Sequence, residues 1–326
     1  MTNCPIFIGG LQRSGTSLLR AIVGSHPQVA LFQWDLPLWT QYFDQYKHQD
    51  LGQTDNITKM IDDIFSDEKA RDCHFDLEKD NVLRRISESN NTVTCGIIFQ
   101  CILEEYAALA GRPRWGLKTP HNEFYADDIF AAYPNARMVQ LIRDPRDVAV
   151  SYQSYAGGAW KYSASEHISL WQRSIELSRR HNERYKEHYI SVRYEDLVSD
   201  PETTVREVCA TLALEFNSTM LETAGQPGWT GSNSFFGDIG KESPVISTTG
   251  IGRYQTNLQP YYTFVYQKQL STYLTRYRYS LKRYDLSVIK RVGFSIRWLA
   301  DILYALALKL GRPLKRKVRL ILHRTQ

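Results

Sequence analysis

The chain has 326 residues, 43% of them hydrophobic, and seven Trp. This excludes a disordered or low-complexity chain and gives length for one large α/β domain carrying an insertion. Five Cys, an odd number without a C-x-x-C pair, argue against a disulfide framework and a zinc site and suit a reducing compartment. The net charge of +5 is set by the tail: residues 287–326 carry ten Lys and Arg against Asp301 alone, and the body is slightly acidic.

The first residues lack the basic and apolar regions of a secretory leader and run straight into an apolar strand, so a cytoplasmic protein is expected. Pro5–Gly10 reads as a buried strand, Leu11–Gly15 as a turn, and a helix starts near Thr16 and stops before His26-Pro27. Residues 35–111 alternate helical patterns with polar breaks, Cys95–Ala110 being the clearest, and are expected to be a helical insertion that shapes an acceptor site. Strands then follow at Trp115–Leu117, Arg137–Ile142 and Tyr189–Arg193. Helices are expected at Glu123–Ala132, Pro145–Tyr155, Ala164–His188, Val205–Leu214 and Tyr261–Tyr277, with a long loop at Gly225–Gly250. The alternation gives an α/β fold: a P-loop-like central parallel sheet flanked by helices, with the helical insertion and a C-terminal basic helical tail. The division expected is a domain at 1–286 and a tail at 287–326.

Two segments carry chemistry. Gly10-Leu11-Gln12-Arg13-Ser14-Gly15-Thr16-Ser17 has the outline of a phosphate-binding turn in the required place between strand and helix. There, backbone N–H groups and the helix dipole converge on an anion. Thr16 stands where an NTPase has its lysine, and Arg13 supplies a cation earlier in the turn. The second segment, Arg143-Asp144-Pro145-Arg146-Asp147-Val148-Ala149-Val150-Ser151, places Arg143 at a strand end and Ser151 two helical turns on, where both can reach one phosphate.

These strings resemble the sulfotransferases that use 3′-phosphoadenosine 5′-phosphosulfate (PAPS). Arg13–Ser17 resembles the family's loop for the 5′-phosphosulfate, and Arg143 with Ser151 resembles its 3′-phosphate pair. Val192–Leu197 resembles a later segment in which a tyrosine, here Tyr194, lies near the adenine. Gly250–Tyr254 resembles the loop that brings a basic residue, here Arg253, onto the cofactor. The order of the Gly turn, His26-Pro27 and Lys118-Thr119-Pro120 is most similar to bacterial and tyrosylprotein sulfotransferases.

The resemblance implies in-line transfer of a sulfuryl group to an acceptor hydroxyl of a carbohydrate, lipid, small molecule or tyrosine. The cofactor would be bound by Arg13, Ser14, Gly15, Thr16, Ser17, Arg143, Ser151, Tyr194 and Arg253, and no metal is expected. Arg13 and Lys118 are the candidate cations for the transferring group. For the base, the resemblance points just beyond His26-Pro27, to Trp34 by direct count and to Asp35 with a one-residue shift; His121 is the rival. Two other readings stay open: a P-loop kinase or NTPase without the Walker lysine, and an inactive membrane-associated protein of the same fold. No nucleic-acid partner is expected. The basic tail suits either the surface of an anionic membrane or packing on the domain.

Overall fold

A computed structural model of the chain describes residues 4–32, 35–67, 77–89, 91–155, 163–222, 246–282, 287–303 and 306. In chain order they form β1 (Ile6–Gly9), α1 (Thr16–Gly24), β2 (Val29–Leu31), α2 (Thr54–Phe65), α3 (Lys79–Glu88), α4 (Cys95–Leu109) and β3 (Arg114–Lys118). There follow α5 (Ala126–Ala132), β4 (Arg137–Ile142), α6 (Pro145–Tyr155), α7 (Ala164–Tyr185), β5 (Tyr189–Arg193), α8 (Tyr194–Ser199) and α9 (Pro201–Leu212). The last elements are α10 (Tyr254–Asn257), α11 (Pro260–Arg276) and a helix at 288–303, α12. The described chain falls into two units, one of residues 1–143 and 174–250 and one of 144–173 and 251–326.

The first unit is built on a five-stranded parallel sheet in the order β2-β3-β1-β4-β5. Its central strand β1 is an apolar run because both faces are covered. Phe7 points to one face and meets Trp115 edge-on at 5.8 Å and Tyr133 at 5.8 Å. Ile6 and Ile8 point to the other, where they join Leu19, Ile22, Val139, Leu197 and Val205.

The helical insertion packs on the first face. Met60, Ile61 and Ile64 of α2, Val82 and Ile86 of α3 and Ile98, Phe99 and Ile102 of α4 are all buried in one cluster with Trp39 and Trp115. The Thr94 hydroxyl caps α4 by accepting from the Ile97 N–H at 3.3 Å. Trp39 and Tyr42 are thus core residues.

In the second unit, α6 is held by α10 and α11. Asp144 takes the Arg146 guanidinium through both carboxylate oxygens, at 2.9 and 2.6 Å, and Arg146 lies 3.8 Å from the Tyr254 ring. Asp147 accepts from the N–H groups of Gly252 and Tyr254 at 2.7 and 2.8 Å.

The sequence reading misses β2 and α8. β2 has only three residues and exists by pairing, Val29 with Arg114 and Leu31 with Gly116. Its approach is fixed by one Arg112 nitrogen that donates to the carbonyls of Gly24, His26 and Val29 at 2.7, 3.0 and 2.6 Å. The helix expected at Val205–Leu214 begins earlier, at Pro201, because Asp200 caps it by accepting from Thr203 and proline occupies its first turn. Most of the loop expected at Gly225–Gly250 lies outside the described residues.

The protonation of His181, a buried group, opposes stability. His181 on α7 lies between Tyr185 and Tyr189, and burial pushes its pKa down to about 4, the neighbouring Asp127 pulling the other way. A pKa lower in the folded than in the unfolded chain means that the unfolded chain binds more protons between pH 4 and 6.5, so stability falls as pH drops through that window. Chemical unfolding across this range should show that loss in the wild type and a shallower one in His181→Phe; parallel curves would remove His181 as a source.

Candidate active site

Because the five strands are parallel, their carboxyl ends share one edge of the sheet, where α/β folds collect ligands. Each strand delivers part of the candidate site to that edge. β1 leads into the Gly10–Gly15 turn, β2 into Asp35, β3 ends on Lys118, β4 is followed by Arg143 and β5 by Tyr194.

The turn is tight. Arg13 and Gly15 both take positive φ, 67° and 95°, and the Ser14 N–H closes back on the Leu11 carbonyl at 3.1 Å. A Cβ on Gly15 would stand 2.5 Å from the Tyr194 ring, so only glycine fits both the dihedral and the space. The first intrahelical bond of α1 runs from Leu18 to the Gly15 carbonyl, so the N–H groups of Gly15, Thr16 and Ser17 have no intrahelical acceptor, a set of donors suited to an anion. Ser14 and Thr16 are buried.

Lys118 is 2% exposed. Its ammonium is hydrogen-bonded to Asp35 and reaches the Ser17 hydroxyl at 3.4 Å. Burial pushes its pKa down, with Arg20 and Arg13 adding to the fall while Asp35 opposes it. Asp35 itself is about half exposed, so one carboxylate oxygen set holds the lysine while the group stays open to solvent. Thr119 fixes the pair's spacing by donating to the Leu36 carbonyl at 2.8 Å.

Arg143 donates to the backbone carbonyls of Arg13 and Gly250 at 2.9 and 2.6 Å and lies 4.3 Å from the Tyr194 ring. It thereby ties the turn, the end of β4 and the segment at Gly250 together around Tyr194. His121 has a left-handed backbone, φ 75°, and its N–H donates to the Gly10 carbonyl at 3.0 Å, while its ring stacks on Phe124 at 5.6 Å. Asp35, Lys118 and Ser17 are therefore brought together by side-chain contact, and His121 adjoins the turn through its backbone. Ser151, buried on α6, and Arg253, half-buried at the start of α10, belong to the second unit.

One residue that the sequence reading does not single out supports the turn. Glu123 is fully buried and its two oxygens accept from the Gly10 N–H at 2.7 Å and the Ser174 hydroxyl at 2.9 Å. Ser174 in turn accepts from Gln140 at 2.9 Å, and Gln140 accepts from the Tyr189 hydroxyl. Burial pushes the Glu123 carboxyl up, and the Gly10 and Ser174 hydrogen bonds work against that. The signal available in the sequence is an acidic residue at the start of the expected helix Glu123–Ala132, which reads equally as a helix-dipole partner.

Comparison with known proteins gives one consistent picture. A model of the sulfotransferase family matches residues 5–218. The chain is 26% identical over 221 residues to a Caenorhabditis briggsae protein named "Putative protein-tyrosine sulfotransferase", covering 66% of this chain and 68% of that one. It is also 26% identical over 221 residues to a Drosophila melanogaster protein-tyrosine sulfotransferase, over 66% of this chain and 39% of the fly protein. Among solved structures, the sulfotransferase domain from the curacin biosynthetic pathway has a TM-score of 0.57 at 18% identity, covering 86% of this chain and 99% of that one.

The Glu123 network yields a direct test. Glu123→Ala leaves the buried Gly10 N–H and Ser174 hydroxyl without their acceptor, at an expected cost of about 2–4 kcal/mol for the two groups. Glu123→Gln keeps one acceptor oxygen and should recover part of it. Urea unfolding measures both; an alanine variant as stable as wild type would show that the turn is held by other contacts.

Proposed function

This chain belongs to the sulfotransferase family and is a sulfuryl-transferring enzyme, and we propose that it takes the group from PAPS and places it on an acceptor hydroxyl with Asp35 as base. The observation that carries the assignment is Lys118, buried beside the Gly10–Gly15 turn and bracketed by Asp35 and the Ser17 hydroxyl.

In the transfer, a bond forms between the acceptor oxygen and sulfur as the bond from sulfur to the bridging phosphate oxygen breaks. Negative charge grows on that bridging oxygen, and the sulfuryl oxygens need oriented donors. The N–H groups at the start of α1, the hydroxyls of Ser14, Thr16 and Ser17, and Arg13 are assigned to the 5′-phosphosulfate. Lys118 is assigned to the transferring group, where a desolvated ammonium acts more strongly than in water. With cations in these places, the chemistry needs no metal.

Arg143 and Tyr194 are assigned to the nucleotide's 3′-phosphate and base, and the family resemblance assigns Ser151 and Arg253 to the same cofactor. Asp35 receives the acceptor proton: it is open to solvent, and its contact with Lys118 sets base and cation side by side. His121 fits less well, because its ring is engaged with Phe124 and its backbone is committed to the turn. The four described cysteines are free thiols, in keeping with work in a reducing compartment. The relatives named for tyrosine sulfation make a tyrosine peptide one acceptor to offer first, beside sugar and lipid alcohols.

Calorimetric titration with adenosine 3′,5′-bisphosphate, without metal, should show binding that Arg143→Ala weakens by about tenfold or more, with Arg143→Lys intermediate because the fork is lost. Binding of ATP with magnesium and not of the bisphosphate would instead favour the kinase reading, against which Thr16 already stands in the place of the Walker lysine. For the base, Asp35→Asn should cut kcat by about 10²–10⁴-fold with bisphosphate affinity unchanged, whereas His121→Asn leaves kcat within a few fold. Full activity in Asp35→Asn would remove it as base.

A further inference from the structure

The last described helix of the second unit, α12, has two unlike faces, and one of them is exposed. Phe294 packs on Tyr261 and Phe264 at 5.5 and 5.6 Å, Arg297 lies 4.0 Å from the Tyr261 ring, and Asp301 accepts from the Ser165 N–H at 3.0 Å. These residues recur at intervals of three and four and fix which side of α12 is turned inward. On other positions Ile289, Val292, Ile296, Leu299 and Leu303 form a second stripe at the same intervals, continued by Leu306. All six are between 49% and 84% exposed. A single exposed aliphatic residue is ordinary, but a continuous row of six on one helix is not.

We propose that this stripe of α12 lies on an anionic lipid surface, its apolar side chains entering the headgroup boundary. The charge of the segment selects that occupant. Residues 287–326 hold ten Lys and Arg against one Asp, and Lys290 and Arg291 are exposed in the first turn of α12. An interfacial helix combines these two features, an apolar row and flanking cations that meet phosphate headgroups. Pairing with a second copy would bring two such cationic segments together. The positions flanking the row, Gly293, Ser295 and Ala300 among them, carry no acidic side chain to compensate. A nucleic acid would satisfy the charge but leave the six apolar side chains in water. The helix lies on the surface and does not cross it, since no helix among the described residues is long and apolar enough to do so.

The test uses the full chain and lipid vesicles in a flotation assay. Vesicles of phosphatidylcholine and phosphatidylserine mixed two to one should carry the protein upward, pure phosphatidylcholine vesicles about tenfold less, and high salt should release it. Ile296→Asp and Leu299→Asp, both at exposed positions, should each lower the bound fraction severalfold while bisphosphate binding and the unfolding midpoint stay at wild-type values. Lys290→Glu with Arg291→Glu should do the same through charge alone. Absence of flotation with the anionic vesicles overturns the proposal. So does a wild-type dimer, seen by sedimentation equilibrium, that Leu299→Asp converts to monomer, because the stripe would then be a contact between copies. Equal binding to both vesicle types would overturn the role of charge.

Discussion

The geometry of the site depends on one buried hydrogen bond, from the Gly10 N–H to the Glu123 carboxylate. A turn that leaves the centre of a parallel sheet and reverses into a helix exposes several backbone donors at once. If one of them has no partner inside the protein, the turn relaxes towards whatever acceptor it can find. Glu123 removes that freedom on the inner side, and it is itself held by Ser174, which Gln140 and Tyr189 hold in turn. What remains unpaired within the helix is the outer set of N–H groups at Gly15, Thr16 and Ser17, the set assigned to an anion in the proposed function. The buried carboxylate thus separates the donor held inside the protein from those the proposal uses.

The same division runs through the Arg143–Asp147 string, and it explains why so short a string is recognisable. Arg143 belongs to the site, joining the turn to Tyr194 and Gly250. Asp144 and Arg146 neutralise each other in the interior of the second unit, and Asp147 caps the turn at Gly252. A buried guanidinium without its carboxylate would be costly, so Asp144 and Arg146 are constrained as a pair. Four of these five neighbouring residues are therefore fixed by three separate physical demands, which leaves little room for chance resemblance.

How much of this was legible in the sequence follows from whether a feature is local. The turn, β1, β4, β5 and the helices α1 and α6 were readable because apolar runs and glycine spacing are properties of adjacent residues. The parallel α/β architecture follows from their alternation. β2 was not readable: its three residues carry no periodicity of their own and are strand only because β3 and the Arg112 guanidinium hold them. α8 is six residues long and begins at the residue after β5 ends, so the change of period comes too abruptly to be seen in a window. Glu123 and the Lys118–Asp35 contact share this limit at the site. Each joins residues more than eighty positions apart, and spacing along the chain says nothing of such a pair. The resemblance alone put Asp35 next to a one-residue ambiguity with Trp34; the Lys118 contact is what sets Asp35 beside the candidate cation.

Lys118 poses the remaining physical question, which is why an enzyme would bury a lysine among arginines. Burial, Arg20 and Arg13 all work against its charge, and Asp35 is the group that favours it. Under the proposed function, a sulfonated, doubly phosphorylated nucleotide would bring negative charge to this corner, and part of the cost of burying Lys118 would be met from its binding energy. Lys118 would then gain a second anionic partner as Asp35 takes the acceptor proton, which would couple base and cation through one ammonium group.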